Sequence, residues 1–469
     1  MVDATELIGI VLDPDSFESW DEPIDIGHHA DDYRSTLLRA AAKSGADEAV
    51  LTGEGRLDGR RVAVIVNEFG FLAGSIGMAA AHRIVAAVRR ATDERLPLLA
   101  STASGGTRMQ EGTPAFVKMA DIARALAEHK AAGLPYLVHL RHPTTGGVFA
   151  SWGSLGHLTS AEPAALVGFL GPKVFESLYG HAFPDGVQVS DRLASRGVID
   201  GVVPTDQLRP VAAKTLSLMC DAAVEAPFSR REPRESDIDA WDAIEATRSH
   251  DRFGVRQLLE HACDATVRLS GTGTGERDPA VVVALARLAG TPCVLVGQDR
   301  QGDSKAAIGP AGLRQAQRGM QLAAELSLPL VTVVDTAGAE LSVAAELGAM
   351  ASEIARSIAR LTTLSVPTVS VLLGQGCGGG ALALTPATTV IAAEHAWLSP
   401  LPPEGASAIL FGSVDRAADM ARSQRVGAGE LQKAGIVHRI VPELSDDTPA
   451  AFLQAVAAEV TAAIEAQQS

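Results

Sequence analysis

Short apolar runs recur along the chain, and several end in a cluster of small residues. Leu96-Pro97-Leu98-Leu99 runs into Ser101-Thr-Ala-Ser-Gly-Gly106, and Leu328-Pro329-Leu330-Val331 runs into Asp335-Thr-Ala-Gly-Ala339. Each reads as a short buried strand closed by a tight turn, with a helical stretch after it. The next element repeats as well. Leu134-Pro135-Tyr-Leu-Val-His-Leu140 leads to Thr145-Gly146-Gly147, and Val366-Pro367-Thr-Val-Ser-Val-Leu372 leads to Cys377-Gly-Gly-Gly380. Pro97 and Pro135 stand 38 residues apart, as do Pro329 and Pro367. Ala161-Glu162 and Ala393-Glu394 follow the glycines. Each half then closes alike, with Arg196-Gly197-Val-Ile-Asp-Gly-Val-Val-Pro204 and Ala434-Gly435-Ile-Val-His-Arg-Ile-Val-Pro442. Four matches in the same order with near-equal gaps indicate internal duplication. Strands alternating with helices indicate α/β units. The pattern predicts one domain over 1–225, a charged, proline-bearing connection over 226–254, and a second domain over 255–469.

Composition narrows the partners. The chain has 469 residues and a net charge of −16, and it carries no long cluster of Lys or Arg. That argues against a nucleic-acid surface. An anionic ligand stays possible, because loop amides can hold phosphate without net positive charge. Aromatic residues are only 4%, so Ala, Val, Leu and Ile must fill the core. The apolar stretch over 62–81 is interrupted by Asn67, Glu68 and glycines, so no membrane span is expected. Cys220, Cys263, Cys293 and Cys377 stand too far apart for a CxxC pair or a zinc ribbon, and the 12 histidines form no metal spacing. No metal is expected. Reduced cysteines and a start without a basic or apolar leader point to the cytoplasm.

The candidate chemistry lies in the glycine turns. A Gly-Gly between a strand and a helix exposes backbone N–H groups to close approach by a ligand. Such a turn can stabilise an enolate or similar oxyanion. A lone pair of this kind more often serves packing, but its recurrence in both halves favours chemistry. Gly271-Thr-Gly-Thr-Gly275 fits neither a dinucleotide fingerprint nor a phosphate loop and reads as a surface turn. There is no GxSxG elbow and no HExxH. An obvious side-chain nucleophile or base is therefore lacking, as chemistry on backbone amides would require.

At these residues a family resemblance emerges. Phe71-Leu-Ala-Gly-Ser-Ile-Gly-Met78, Ser101-Thr-Ala-Ser-Gly-Gly-Thr-Arg-Met-Gln-Glu111, Pro143-Thr-Thr-Gly-Gly-Val-Phe-Ala-Ser151 and Ala161-Glu-Pro-Ala-Ala-Leu-Val-Gly-Phe-Leu-Gly-Pro172 resemble the β subunit of bacterial acetyl-CoA carboxylase carboxyltransferase. Val334-Asp-Thr-Ala-Gly-Ala339, Gly374-Gln-Gly-Cys-Gly-Gly-Gly-Ala-Leu-Ala383 and Pro403-Glu-Gly-Ala-Ser-Ala-Ile-Leu410 resemble the α subunit. The β-like then α-like order in one chain is similar to single-chain carboxyltransferase subunits of biotin-dependent acyl-CoA carboxylases.

The resemblance implies two tandem crotonase-like domains related by duplication, and an active site at a dimer interface of a homodimer or homohexamer. It implies CoA on the first half and carboxybiotin on the second. CO₂ is released from carboxybiotin, the biotin anion takes the α-proton of the acyl-CoA, and the enolate attacks CO₂. No protein base is needed. Carried over by position, Gly146 and Gly147 would hold the thioester oxygen, and Gly379 and Gly380 the ureido oxygen of biotin. Gly74, Ser75 and Gly77 with Ser104, Gly105, Gly106 and Arg108 would line the CoA side. Gly338, Ala339, Pro403, Glu404 and Gly405 would line the biotin side. The substrate would be acetyl-CoA or propionyl-CoA, as in fatty acid or polyketide synthesis. The biotin carrier protein and the biotin carboxylase would be separate chains, because no Ala-Met-Lys-Met sequence is present.

There are two departures, of which the second keeps alternatives open. The four-cysteine zinc ribbon of the β subunit is absent. The family's Asp-Thr-Pro-Gly is Asp335-Thr-Ala337-Gly here, followed by Glu340-Leu341 in place of an aromatic-Pro. Losing the proline loosens the turn, and Glu340 brings a charge toward the biotin side. A malonyl-thioester decarboxylase of the same fold is therefore the alternative reading, with a non-catalytic scaffold behind it.

Overall fold

A computed structural model describes residues 2–249, 252–300 and 307–468; Asp251, read above as part of the connection, lies outside them. In the first half, β1 (Glu18–Ser19), β2 (Val50–Leu57) and β3 (Arg60–Asn67) form an antiparallel edge. From Val62 onward β3 is buried at every position, as expected of a strand covered on both faces. Parallel neighbours follow: β4 (Leu98–Ser104), β5 (Tyr136–Thr145) and β6 (Leu158–Ala161), with β7 (Val167–Gly168) paired to the far end of β5 and β8 (Gly201–Val202) to β6. The helix Met78–Asp93 joins β3 to β4 and buries Ala80, Ile84, Ala87, Val88 and Ala91, one stripe at helical spacing. The helix Gly112–Ala131 joins β4 to β5.

The second half repeats this plan. β9 (Cys263–Leu269), β10 (Val281–Leu288) and β11 (Thr291–Gln298) are antiparallel. β12 (Leu330–Thr336), β13 (Thr368–Cys377) and β14 (Thr389–Ala393) continue in parallel, with β15 (Trp397–Ser399) on the far end of β13 and β16 (Arg439–Val441) on β14. Register repeats as well as order. Leu98 pairs with Tyr136 and the ladder slips between Thr102 and Ser104; Leu330 pairs with Thr368 and it slips between Val334 and Thr336. From Leu98 to Leu330 the offset is 232, and the lone bridges Ile76–Thr107 and Ile308–Ala339 keep it. The α/β fold of two tandem crotonase-like domains therefore stands.

The chain divides into two compact units, Met1–Leu216 and Ser217–Ser469. The charged stretch over 226–254, read above as a connection, lies within the second unit and is tied to it by ion pairs. It contains the helix Ala240–Arg248, whose first turn is capped by the Asp239 carboxylate. Its arginines are anchors: Arg231 pairs with Asp447, Arg234 with Glu394 and Arg252 with Glu443. Sequence alone shows the charges but not the acidic partners, which lie more than a hundred residues away. Among the described residues no helix is long and apolar enough to cross a membrane.

Candidate active site

In the first unit, β5 ends at Thr145 and the chain turns through Gly146 at φ 63°. Only glycine takes that left-handed conformation at little cost. A four-residue helix, Gly146–Phe149, starts there. The Gly146 N–H is already taken, donating to Phe169 O at 3.0 Å. The expectation that Gly146 donates to a ligand is therefore corrected: it shapes the turn. The N–H groups of Gly147 and Val148 have no acceptor among the described residues, because a helix leaves its first donors unpaired. They form the open donor pair, and Val148 was missed from sequence. Gly106, at φ 108°, closes one side. A Cβ built on it would lie 3.5 Å from Gly147 N, so the two backbones nearly touch.

The other residues assigned to this side mostly hold each other. Gly74, at φ 63°, lies against the Ala103 carbonyl with no room for a Cβ. Its carbonyl accepts the Ser104 hydroxyl at 2.6 Å. The Ser75 hydroxyl donates to Leu72 O at 2.8 Å. Gly77 is packed against the Glu111 carboxylate and the Arg108 guanidinium. Of residues 104–108, Gly105 alone is exposed.

Arg108 is not brought to the ligand side. It is 1% exposed, pairs with the Glu48 carboxylate, and donates to Glu111 at 3.2 Å and to Ser75 O at 2.7 Å. Burial disfavours its charge, but the Glu48 carboxylate outweighs this and holds its pKa above the ordinary arginine value. Glu111 is likewise desolvated, yet donors from Met78 N–H, Tyr33 and Arg108 hold its carboxyl below the usual range. Arg108→Met should therefore strand the buried Glu48 carboxylate, leave Glu111 with only its Met78 N–H and Tyr33 donors, and cost roughly 3–5 kcal/mol. Urea unfolding monitored on the first unit checks this. A raised KM for acyl-CoA with unchanged unfolding would instead return Arg108 to the ligand.

In the second unit, β13 ends at Cys377 and the chain turns through Gly378, again at φ 63°. The helix Gly378–Leu382 follows. Gly379 and Gly380 present N–H groups without an acceptor among the described residues. Gly338, at φ 134°, and Ala339 close the side: a Cβ on Gly380 would sit 3.1 Å from Ala339 N. A cavity of about 600 Å³ flanks Gly378 and Gly379, with Leu382, Pro400, Arg425 and Lys433 on its walls. Pro403 opens the helix Pro403–Phe411. The Glu404 carboxylate is not free but bonds Arg248 at 2.7 Å, which holds its pKa below the usual range. Gly405 has open space around it, the nearest atom to an added Cβ being Pro402 Cδ at 4.0 Å.

The departures near Asp335 find local explanations. The proline-less turn is tied by Thr336, whose hydroxyl accepts from Gly338 N–H at 3.1 Å. Glu340 turns toward the start of the helix Pro310–Leu326: one carboxylate oxygen lies 3.0 Å from a Cβ built on Gly309, and the other accepts from Ser342 at 2.6 Å. A carboxylate is favourable at that helix end. Leu341, at 97% exposed, reaches solvent, as does Ala337.

The constant offset makes the two turns equivalent position for position. Gly146 and Gly378 are the left-handed residues, and Gly147–Val148 correspond to Gly379–Gly380 as donors. Each pair of amides is fixed in place beside a glycine that leaves space open, an arrangement suited to an oxygen that gains negative charge. Among the described residues no cluster of three or more His, Cys, Asp or Glu is placed to hold a metal.

A family model described as the carboxyl transferase domain matches residues 4–468. A Mycobacterium tuberculosis protein named "Probable biotin-dependent acyl-coenzyme A carboxylase beta3 subunit" is 56% identical over 460 residues, covering 96% of this chain and 92% of that protein. The acetyl-coenzyme A carboxylase carboxyl transferase subunits beta/alpha of Saccharopolyspora erythraea are 36% identical over 449 residues, covering 92% and 79%. Among solved structures, transcarboxylase 12S with hydrolysed methylmalonyl-coenzyme A bound superposes with a TM-score of 0.77 at 21% identity, covering 99% of this chain and 89% of that one.

Proposed function

The chain belongs to the carboxyl transferase domain family, and from that premise we infer that it moves a carboxyl group from carboxybiotin to the α-carbon of an acyl-CoA. The observation that carries this reading is the matched pair of open amide donors, one in each unit. Transfer of CO₂ between a ureido group and a thioester passes negative charge through two carbonyl oxygens, and two oxyanion cradles answer that need. Gly147 and Val148 hold the thioester oxygen as the enolate forms. Gly379 and Gly380 hold the ureido oxygen as biotin becomes an anion. That anion removes the α-proton, so no protein base is required, and the enolate carbon bonds to CO₂. Gly105 and Gly106 border the acyl-CoA; Gly338 and Ala339 border the biotin.

The acyl group is of the acetyl or propionyl type, and the partners are a biotin carrier protein and a biotin carboxylase. A homodimer or homohexamer is supported by exposed apolar side chains at equivalent places in the two units: Met109 (84% exposed) and Leu341, Leu178 and Leu410, Tyr179 and Phe411. Faces of this kind mark protein contacts. The decarboxylase alternative rested on the altered Asp335–Leu341 segment; Thr336 ties that turn and Glu340 faces the start of a helix, which supports the carboxyltransferase reading.

Carboxyl exchange between malonyl-CoA and free biotin tests the reading. Exchange that requires biotin is expected. Loss of CO₂ from malonyl-CoA without biotin would turn the reading to the decarboxylase.

A further inference from the structure

β11 is buried at every position and is apolar except for its threonine and its last residue, Gln298. At the equivalent place in the first unit stands Val66, also buried. A glutamine 2% exposed at the end of such a strand is costly, because a buried amide must find partners for both ends. Gln298 satisfies only one. Its Nε2 donates to Gly380 O at 2.7 Å, and its Oε1 has no partner among the described residues. Swapping the amide ends would lose the single bond it makes, since Gly380 O can only accept.

The first turn of the second-unit helix explains what this bond is for. Gly378, Gly379 and Gly380 are consecutive, whereas the first unit has Gly146, Gly147 and Val148. The third glycine is forced, because Gly380 lies against Ala339 N and Gly338. Each glycine weakens a helix by about 1 kcal/mol relative to alanine, so this turn is intrinsically loose. It is also short of main-chain support. In the first unit, Val148 O accepts from Ser151 N–H at 3.3 Å; among the described residues Gly380 O receives no main-chain donor from beyond its helix.

We propose that Gln298 is a positioning residue, which pins the Gly380 carbonyl and so aims the Gly379 and Gly380 amides that the reading above assigns to the biotin oxygen. An unsatisfied amide end is then retained in the core for alignment rather than for stability. The inference rests on that functional reading for its kinetic consequence but not for its structural one.

Gln298→Met keeps the volume and removes the donor, and Gln298→Val restores the residue of the first unit. Both remain folded, since an apolar residue relieves the unpaired amide oxygen. In the carboxyl exchange assay, kcat/KM for free biotin falls about ten-fold, and KM for malonyl-CoA does not change. Amide hydrogen exchange of the peptide containing Gly379 and Gly380 becomes faster, while that of the peptide containing Gly147 and Val148 does not. Unchanged kinetics with unchanged amide exchange overturn the proposal, as does an equal loss toward both substrates. If the wild-type chain shows no biotin-dependent exchange, the functional reading falls. The amide exchange then decides the brace alone: faster at Gly379–Gly380 supports it, and no change overturns it.

Discussion

Gly147→Val should abolish turnover, by roughly 100-fold or more, in a protein that still folds. Gly147 is not in the left-handed region, so a valine can adopt its backbone conformation. Its Cβ would lie 3.0 Å from Thr107 Oγ1 and 3.7 Å from Met119 Cγ, and Thr107 can move by the few tenths of an ångström this needs. The two methyl groups then add bulk directly beside the N–H pair that the reading assigns to the thioester oxygen. Losing one such donor costs about 2.7–4 kcal/mol of barrier, and a blocked cradle loses both. Gly146 would be a poorer probe. A β-branched residue at φ 63° is strained whatever the space, so inactivity there would not separate misfolding from chemistry. Val148→Ala is the companion, because it keeps the N–H and should stay near wild-type. Exchange rates alongside circular dichroism and thermal unfolding make the comparison. Near-normal rates in Gly147→Val would remove the oxyanion role from the first unit.

The duplication, the α/β class and the position of both glycine turns were legible from letters alone, because apolar runs and prolines recur at fixed spacing. The donors were legible only to within one residue. Glycine runs look alike wherever they are cut. Letters alone match Gly146-Gly147 to the last two of three glycines, but the ladder from Leu98–Tyr136 and Leu330–Thr368 sets the equivalence one residue earlier. A strict offset of 232 would have found Gly378 and Val148. Val148 itself carries no signal, since any residue can supply a backbone N–H. Arg108 misled for a different reason. An arginine beside a glycine turn suggests an anion, and its partner Glu48 lies 60 residues away, beyond any local pattern. Glu340 likewise announces a charge without its direction, and only the fold shows it turned to a helix end. Gln298 could be suspected as a lone amide in an apolar strand, but its target is set by tertiary contact.

Within the second unit, Gly380→Ala should be far more harmful than Gly379→Ala, although the two changes are chemically identical. A methyl on Gly379 meets only Ile354 Cδ1, at 2.7 Å, the free end of a side chain that can rotate away. A methyl on Gly380 meets Ile308 Cγ2 at 2.9 Å, Ala339 N at 3.1 Å and Gly338 C at 3.3 Å. The last two are main chain and are themselves held: Glu340 N–H donates to Ile308 O at 2.9 Å, and Gly338 N–H is tied to Thr336. The backbone cannot retreat without breaking these bonds, so the Gly380 peptide must rotate, and its N–H is misdirected. Overpacking of this kind costs about 1–3 kcal/mol of stability, and a misaimed donor slows biotin-dependent exchange by roughly 100-fold. Gly379→Ala should lose only a few-fold. KM for malonyl-CoA should stay unchanged in both, because the methyl groups lie in the second unit. The order of the two rates is the decisive measurement. If Gly379→Ala proved the slower enzyme, the close approach of Gly380 to the Gly338–Ala339 turn would not be what shapes the cradle, and the ureido oxygen would have to be held elsewhere.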